Sequence, residues 1–402
     1  MSFTHFNLDP RLLKNVLALE FEEPTPIQYA TIPAVLTGQD ILGSAETGTG
    51  KTAAYLLPIL HRLINSPRPR RPRVLVLVPT RELALQVAEH ARLLGTNTGL
   101  RSIAVYGGVS LSNQEEALRR GVDIVIATPG RLLDHVERRN IGFDDLQVLV
   151  LDEADRMLDI GFLPDIRRVV KLLPKERQTL LFSATLHPII NLAYEVTRKA
   201  ARIEVEKTVT PEAITQTLFP VPEHLKMQLL KQLLEDHTMD SVLIFSRTKH
   251  RADKIVRDLQ RAKIQAAVIH GNRSQSQRVA ALEAFRHGNS RVLVATDIAA
   301  RGIDVEGISH VINFDMPMQV EDYVHRIGRT GRAEADGQAY TFVTPVDEAL
   351  ARRIEMVMKK KLPRRTLDGI DYRTPAAKIP DADAIRRYVE ANRRKAIGAR
   401  AG

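Results

Sequence analysis

The chain has 402 residues, 44 % apolar and 26 % charged, enough for two folded domains with sizeable cores. Fifty-eight Lys and Arg against 48 Asp and Glu leave a formal net charge of +10, which favours a polyanionic partner, although solubility or an anionic membrane surface would use the same charge. The absence of cysteine excludes disulfides and thiolate metal sites, and the absence of tryptophan makes the core mostly aliphatic.

From the start of the chain, MSFTHFNLDP lacks a basic stretch followed by an apolar run, and no apolar stretch approaches the roughly 20 residues that span a bilayer. A cytoplasmic protein with no membrane contact is the expectation. Residues 24–28 (PTPIQ) read as a turn entering a helix. The apolar segment Asp40–Gly43 then runs into Ala45–Thr52 (AETGTGKT) and an apolar helical pattern, Ala53–Leu60. That order is strand, loop, helix. The loop Ala45, Glu46, Thr47, Gly48, Thr49, Gly50 can close around phosphate oxygens with its N–H groups pointing inward. Lys51 can neutralise β- and γ-phosphates, and the Thr52 hydroxyl can ligate Mg²⁺. Ala45 replaces the glycine that opens the strictest form of this pattern.

Ser66–Arg73 (SPRPRRPR) carries three prolines and four arginines and reads as an exposed basic loop. Beyond it, short aliphatic runs at Val74–Val78, Asp123–Ala127, Val148–Leu151, Thr179–Phe182, Val242–Phe245, Arg291–Ala295 and His310–Asn313 are each followed by a helical pattern. Without polar alternation they predict strands buried on both faces, hence an α/β fold with parallel sheets covered by helices. Val148–Leu151 leads into Asp152–Asp155 (DEAD). A carboxylate at the end of a buried strand suits Mg²⁺, and Asp152 takes that place; Glu153 suits the group that orients or deprotonates an attacking water. Either acid alone reads as a helix cap, and the loop at Gly48–Thr52 turns the pair into a nucleotide site.

An internal repeat runs along the chain. VLVLVPTRELA around Arg81 returns as SVLIFSRTKHRA around Arg247, AVYGG around Gly107 as AVIHG around Gly271, and DIVIATPGRLLD around Thr128 as RVLVATDIAARGID around Thr296. The offsets are 166, 164 and 168 residues, which predicts two related α/β domains. The polar stretch Glu204–Ile214 places the boundary, giving domains 1–207 and 208–373. Residues 374–402 form a mildly basic extension, with a helical pattern over Asp381–Ala396. In the second domain, His325–Arg332 (HRIGRTGR) spaces arginines three apart. A solvated helix face is the plain reading, weakened by two internal glycines. If the domains close on one nucleotide, Arg329 and Arg332 reach across as arginine fingers.

Together these residues resemble the DEAD-box RNA helicase family over roughly residues 3–345. Asp152–Asp155 is the string that names the family. PTPIQ is similar to its adenine-reading motif, with Gln28 as base reader and Phe3 as the isolated aromatic that packs on adenine; Glu20 stands where the family usually has glycine. Pro79, Thr80, Arg81, Gly108, Thr128, Arg131, Arg247 and Thr296 fall in motifs that resemble the RNA-contacting set, and QSQR at Gln275–Arg278 matches a further motif. Ser183 and Thr185 resemble the motif coupling hydrolysis to strand separation. The resemblance implies two tandem RecA-like domains of the P-loop NTPase superfamily, ATP and Mg²⁺ as cofactors, Asp304 near the nucleotide, and His325 in the network around the attacking water. It also implies local unwinding of short RNA duplexes. The compact length is similar to the RhlE-type branch.

The RNA motifs hold hydroxyls, glycines and arginines and few aromatics, so binding is expected to follow the sugar–phosphate backbone, without sequence preference and with strong salt dependence. A monomer is expected, with ribosomal or RNA-degradation complexes among its settings. The competing readings are a DNA translocase with the same ATP machinery, an ATP-gated RNA clamp with negligible turnover, and a metabolic kinase, which leaves the second domain unexplained.

Overall fold

The computed structural model describes residues 2–45, 49–67, 69, 71–205, 214–300, 307–331 and 337–374, and only the backbone of His187, Ile298 and Glu321. Its first half is one parallel sheet of β1 Ile41–Ser44, β2 Val74–Leu77, β3 Ser102–Val105, β4 Ile124–Ala127, β5 Val148–Leu151, β6 Gln178–Ser183 and β7 Ala201–Glu204. Their order across the sheet is β3-β4-β2-β5-β6-β1-β7. The second half is a parallel sheet of β8 Ile214–Pro220, β9 Val242–Phe245, β10 Ala266–Ile269, β11 Val292–Ala295, β12 His310–Asn313 and β13 Gly337–Val343, in the order β10-β11-β9-β12-β13-β8. Counterparts occupy the same places, β1 with β8 through to β6 with β13, and β7 is added at one edge of the first sheet. The repeat seen in the sequence is therefore a repeat of topology.

The aliphatic runs are central strands because each must bury side chains on both faces. Val74, Val76, Ile124, Ile126, Val148 and Val150 join one core, and Leu75, Leu77, Val125, Leu149 and Leu151 the other. Helices on the first sheet include α1 Pro10–Ala18, α2 Pro26–Leu36, α3 Lys51–Ile64, α4 Arg81–Leu94, α5 Leu111–Arg119, α6 Pro129–Glu137 and α7 Ala154–Asp159. The two sheets part between Glu204 and Ile214, so the expected boundary at 207 and 208 lies outside the described residues, as does the extension from 375 onward.

The basic loop needs one correction. Arg73 is not part of an exposed loop; it is 1 % exposed, and its Nη2 lies 2.6 Å from Asp123 Oδ1. Its Nη1 also donates to the Leu63 carbonyl at 2.9 Å, while Asp123 Oδ2 accepts from Arg101 N–H at 2.9 Å. Arg73 immediately precedes β2, and Asp123 precedes the adjacent β4, so the sheet brings the charges together where neither could stay buried alone.

The end of α1 has a geometry suited to glycine. Phe21 N–H donates to the Val16 carbonyl at 3.1 Å and Glu20 N–H to the Leu17 carbonyl at 3.0 Å, a paired closure that needs a left-handed residue at position 20. Glu20 supplies it at φ +58°, a conformation that disfavours a residue with a Cβ. Glu20→Gly should raise stability by about 0.5 kcal/mol, the relief of strain being partly offset by the greater freedom of unfolded glycine. Chemical denaturation of the two proteins measures this, with a higher midpoint expected for the glycine variant.

Candidate nucleotide and RNA site

All strands of each sheet run the same way, so the loops leaving their carboxyl ends collect along one edge, where ligands bind in open parallel sheets. From β1 the chain enters the phosphate loop. Ala45 N–H is held by the Ser183 carbonyl at 3.1 Å, and Lys51, 5 % exposed at the start of α3, donates through Nζ to the Ala45 carbonyl at 2.7 Å. Gln28 buttresses the loop: its Oε1 accepts from Thr25 N–H at 3.0 Å and its Nε2 donates to the Gly50 carbonyl at 3.2 Å. Thr25 Oγ1 donates to the Thr49 carbonyl at 2.8 Å. Gly50 is obligatory here: its φ is +88°, and a Cβ would sit 2.4 Å from Gln28 Nε2. The structure thus brings Gln28, Lys51 and Thr52 together. Phe3 lies nearby in an aromatic cluster, buried against Phe6 and stacked on Phe21 with centroids 6.5 Å apart. Glu46, Thr47 and Gly48 lie outside the described residues.

From β5 the chain delivers the acidic string, with Asp152, Glu153 and Asp155 all buried. Glu153 begins α7 in the left-handed conformation, φ +53°, and its carboxylate pairs with Arg156 Nη1 at 2.8 Å. Asp155 Oδ2 accepts from Ala184 N–H, Thr185 N–H and Thr185 Oγ1 at 3.2, 3.1 and 3.1 Å, joining β5 to the loop after β6. Ser183 Oγ donates to the Thr185 carbonyl at 2.6 Å and stiffens that loop. Burial pushes the Asp152 carboxyl above its ordinary pKa, partly opposed by the Lys51 charge. A buried oxygen donor with this penalty suits a cation, and the hard oxygens of Asp152 and Thr52 suit Mg²⁺.

The sequence reading missed Tyr55. Its ring is fully buried on α3, and its hydroxyl donates to Asp152 Oδ2 at 3.1 Å while interacting with the Thr52 side chain. Burial, then the adjacent carboxylate, pushes the phenol well above its ordinary pKa, so it remains a donor. A hydroxyl inside the apolar run Ala53–Leu60, three residues after Thr52, was the available signal.

Residues of the first sheet expected to contact RNA also come together. Thr80 caps α4 by accepting from Leu83 N–H at 3.2 Å, and Thr128 opens α6. Gly108 has φ +81°, and a Cβ there would lie 2.1 Å from Arg81 Nη1, so the guanidinium occupies the space that the missing side chain leaves. Arg131 Nη1 donates to the Val109 carbonyl at 3.1 Å. In the second sheet, Thr296 opens the short helix Asp297–Ala300 after β11. Arg247 is exposed beyond β9, with its N–H held by Asp315 Oδ2 at 2.9 Å.

The arginine segment is not a solvated helix face. The helix Val320–Ile327 stops before Gly328. Arg326 is spent internally: it forks onto Asp297 at 2.6 and 2.8 Å and lies 5.0 Å from the Phe245 ring centroid. Arg329 is 5 % exposed, with Nε 3.3 Å from the His325 carbonyl. Arg332 and Asp304 lie outside the described residues. A second missed feature crosses between the sheets. Glu82, next to Arg81, accepts from Gln275 Nε2 at 3.1 Å and lies 2.8 Å from Arg278 Nη2, and all three groups are buried. The Arg278 contact has ion-pair distance without hydrogen-bond alignment. Both motifs were visible in sequence, but their 193-residue separation concealed the pairing.

Family models described as DEAD/DEAH box helicase and as helicase conserved C-terminal domain match residues 25–192 and 225–334. The ATP-dependent RNA helicase CshA of Listeria monocytogenes is 44 % identical over 362 residues, covering 90 % of this chain and 69 % of that protein. The DEAD-box ATP-dependent RNA helicase CshA of Bacillus subtilis is 40 % identical over 394 residues, covering 98 % and 79 %. Saccharomyces cerevisiae Dbp5 bound to RNA and ADP BeF3 superposes with a TM-score of 0.83 at 31 % identity, covering 97 % of this chain and 99 % of that one. A DEAD box protein from Methanococcus jannaschii gives 0.52 at 36 % identity, covering 91 % and 99 %. The expected RhlE-type branch finds no support in these relatives. The likeness extends through both sheets and is not confined to the phosphate loop: the chain belongs to the DEAD-box family of ATP-dependent RNA helicases.

Proposed function

We propose that ATP and RNA together draw the two domains, 1–207 and 208–373, onto one another, that closure bends one RNA strand away from its partner, and that hydrolysis lets the domains reopen. The observation that carries this reading is the buried contact of Glu82 with Gln275 and Arg278, because it joins the Arg81 surface of the first domain to the second. The closer superposition on Dbp5 with RNA and ADP BeF3 than on the more identical archaeal protein supports domain placement as the variable.

In this reading Gln28 and Phe3 hold adenine, residues 45–50 and Lys51 hold the phosphates, and Asp304 approaches from the second domain. Thr52 and Asp152 would hold Mg²⁺, and the bound ion supplies charge neutralisation at the β- and γ-phosphates. Glu153 takes a proton from the attacking water, with Arg156 fixing its carboxylate and His325 completing the network. Arg329 and Arg332 stabilise charge on the transferring phosphoryl group, so turnover waits for closure. Asp155, Ser183 and Thr185 carry the change at the nucleotide to the RNA side. Pro79, Thr80, Arg81, Gly108, Thr128, Arg131, Arg247 and Thr296 grip phosphate and ribose without reading bases. We assign the chain to the CshA-type branch, supported by the relatives named above. A cytoplasmic monomer working on ribosomal or degradation-bound RNA is part of the proposal; the +10 charge and lack of cysteine fit it.

A chain without native cysteine allows clean labelling of one introduced cysteine per domain. Energy transfer between the labels should rise with RNA plus ADP and beryllium fluoride, and an unchanged signal rejects closure. Glu153→Gln should cut RNA-stimulated ATP turnover by about 10²–10⁴-fold while ATP-dependent RNA retention persists, as filter binding would report. Tyr55→Phe should weaken the Mg²⁺ dependence of fluorescent ADP binding by about tenfold, because it removes the donor that orients Asp152. Glu82→Gln strips the charge that Arg278 faces, and on the order of tenfold weaker ATP-dependent RNA binding is expected, with ADP affinity retained.

A further inference from the structure

The turn at Gly107–Gly108 has no side chains with which to hold its own shape, and its flanks are held from α6 on one side and α5 on the other. Arg131, in the first turn of α6, fixes the Val109 carbonyl on one side. The Tyr106 carbonyl on the other side accepts from Gln114 Nε2 at 3.0 Å. Gln114 is 5 % exposed on α5, and its Oε1 lies 3.0 Å from Nε2 of His135, a fully buried histidine of α6. The far side of that ring, Nδ1, lies 3.2 Å from Asn140 Nδ2, which also donates to Glu115 Oε1 at 2.9 Å.

The direction of this chain follows from its ends. Asn140 Nδ2 can only donate, so His135 Nδ1 accepts and His135 Nε2 carries the hydrogen. Gln114 Oε1 then accepts, and its amide nitrogen is left to donate to Tyr106. Each member has one role, and the last bond falls on the peptide that enters the glycine turn. The Tyr106 carbonyl and the Gly107 N–H belong to one planar peptide, so holding that carbonyl holds the direction of the first N–H of the turn, and Arg81 packs against the same turn, its Nη2 3.6 Å from where a Cβ of Gly107 would sit.

We propose that His135 and Gln114 are positioning residues for RNA: the relay Asn140–His135–Gln114 sets the geometry of the Gly107–Gly108 turn and thereby the affinity of the first domain for an RNA phosphate. The proposal rests on the reading of Arg81 and Gly108 as RNA contacts. Among the described residues no hydrogen bond joins the relay to the nucleotide loop, so its loss should separate RNA affinity from ATP chemistry.

The test compares Gln114→Met, His135→Phe and His135→Gln with Arg81→Ala in the full chain. Each is assayed for the RNA concentration that half-maximally stimulates ATPase, the maximal stimulated rate, fluorescent ADP binding and thermal midpoint. Gln114→Met and His135→Phe should raise the half-stimulating RNA concentration about fivefold to tenfold, the scale of one lost buried hydrogen bond, at unchanged maximal rate and ADP affinity. His135→Gln keeps a donor near the ring's Nε2 and should recover most of the RNA affinity. The relay is rejected if Gln114→Met leaves RNA affinity intact while Arg81→Ala weakens it. It is also rejected if both relay variants lower the maximal rate and ADP affinity in step with RNA affinity, or if His135→Gln behaves like His135→Phe. If Arg81→Ala has no effect on RNA affinity, the underlying RNA-contact reading fails, and the relay falls with it.

Discussion

Strand direction is the constraint on which the rest depends. Every paired strand is parallel, so within each sheet every strand ends at the same edge and hands its loop to that edge. The loop at Ala45–Thr52, the acidic string, the loop after β6 and the segments that carry Arg81, Gly108 and Arg131 are far apart in the chain, yet each follows the carboxyl end of a strand. A parallel sheet also requires a crossover between neighbours, and those crossovers are the helices whose first turns carry Lys51, Arg81 and Arg131. The fold therefore places helix N-termini, whose first N–H groups lack carbonyl partners within the helix, along the edge that suits anionic ligands.

The same edge concentrates buried charge, and the way each charge is satisfied separates scaffold from machinery. Arg73 with Asp123, and Arg326 with Asp297, are paired within one sheet and hold strand ends together. Asp155 spends one oxygen on the loop after β6, which ties the acidic string to Thr185. Asp152 differs: its partners are a phenol and a backbone N–H, and neither is a cation in direct contact. Glu82 differs again, because its partners come from the other half of the chain. An interaction across the domains can report whether they are closed, whereas one inside a sheet cannot.

Much of this was legible beforehand for a physical reason. A strand buried on both faces must be an unbroken aliphatic run, and a phosphate loop must have small residues followed by Lys and Thr. The strands named from the sequence accordingly match those of the fold to within one residue at each end. Arg73 was misread because arginine among prolines looks solvated until its partner, 50 positions away, is known. Tyr55 was passed over because a tyrosine in an apolar helical run reads as core, and only the position of β5 beside α3 gives its hydroxyl a carboxylate. His135 and Gln114 carry no motif at all; their roles exist only because the fold brings one side chain of α5 within hydrogen-bonding reach of one of α6.

What the sequence determined by itself were the locally encoded properties: strand and helix periodicity, the loop that wraps phosphate, the acidic string at a strand end, and an internal repeat that required two like domains. These are set by residues within a few positions of one another, or by a comparison along the chain. Tertiary structure alone decided which polar groups are paired: Glu82 with Arg278, Tyr55 with Asp152, and the relay from Asn140 to Tyr106. A buried polar group is stable only with a partner at hydrogen-bonding distance, and which group lies at that distance is a property of packing that no spacing in the chain records.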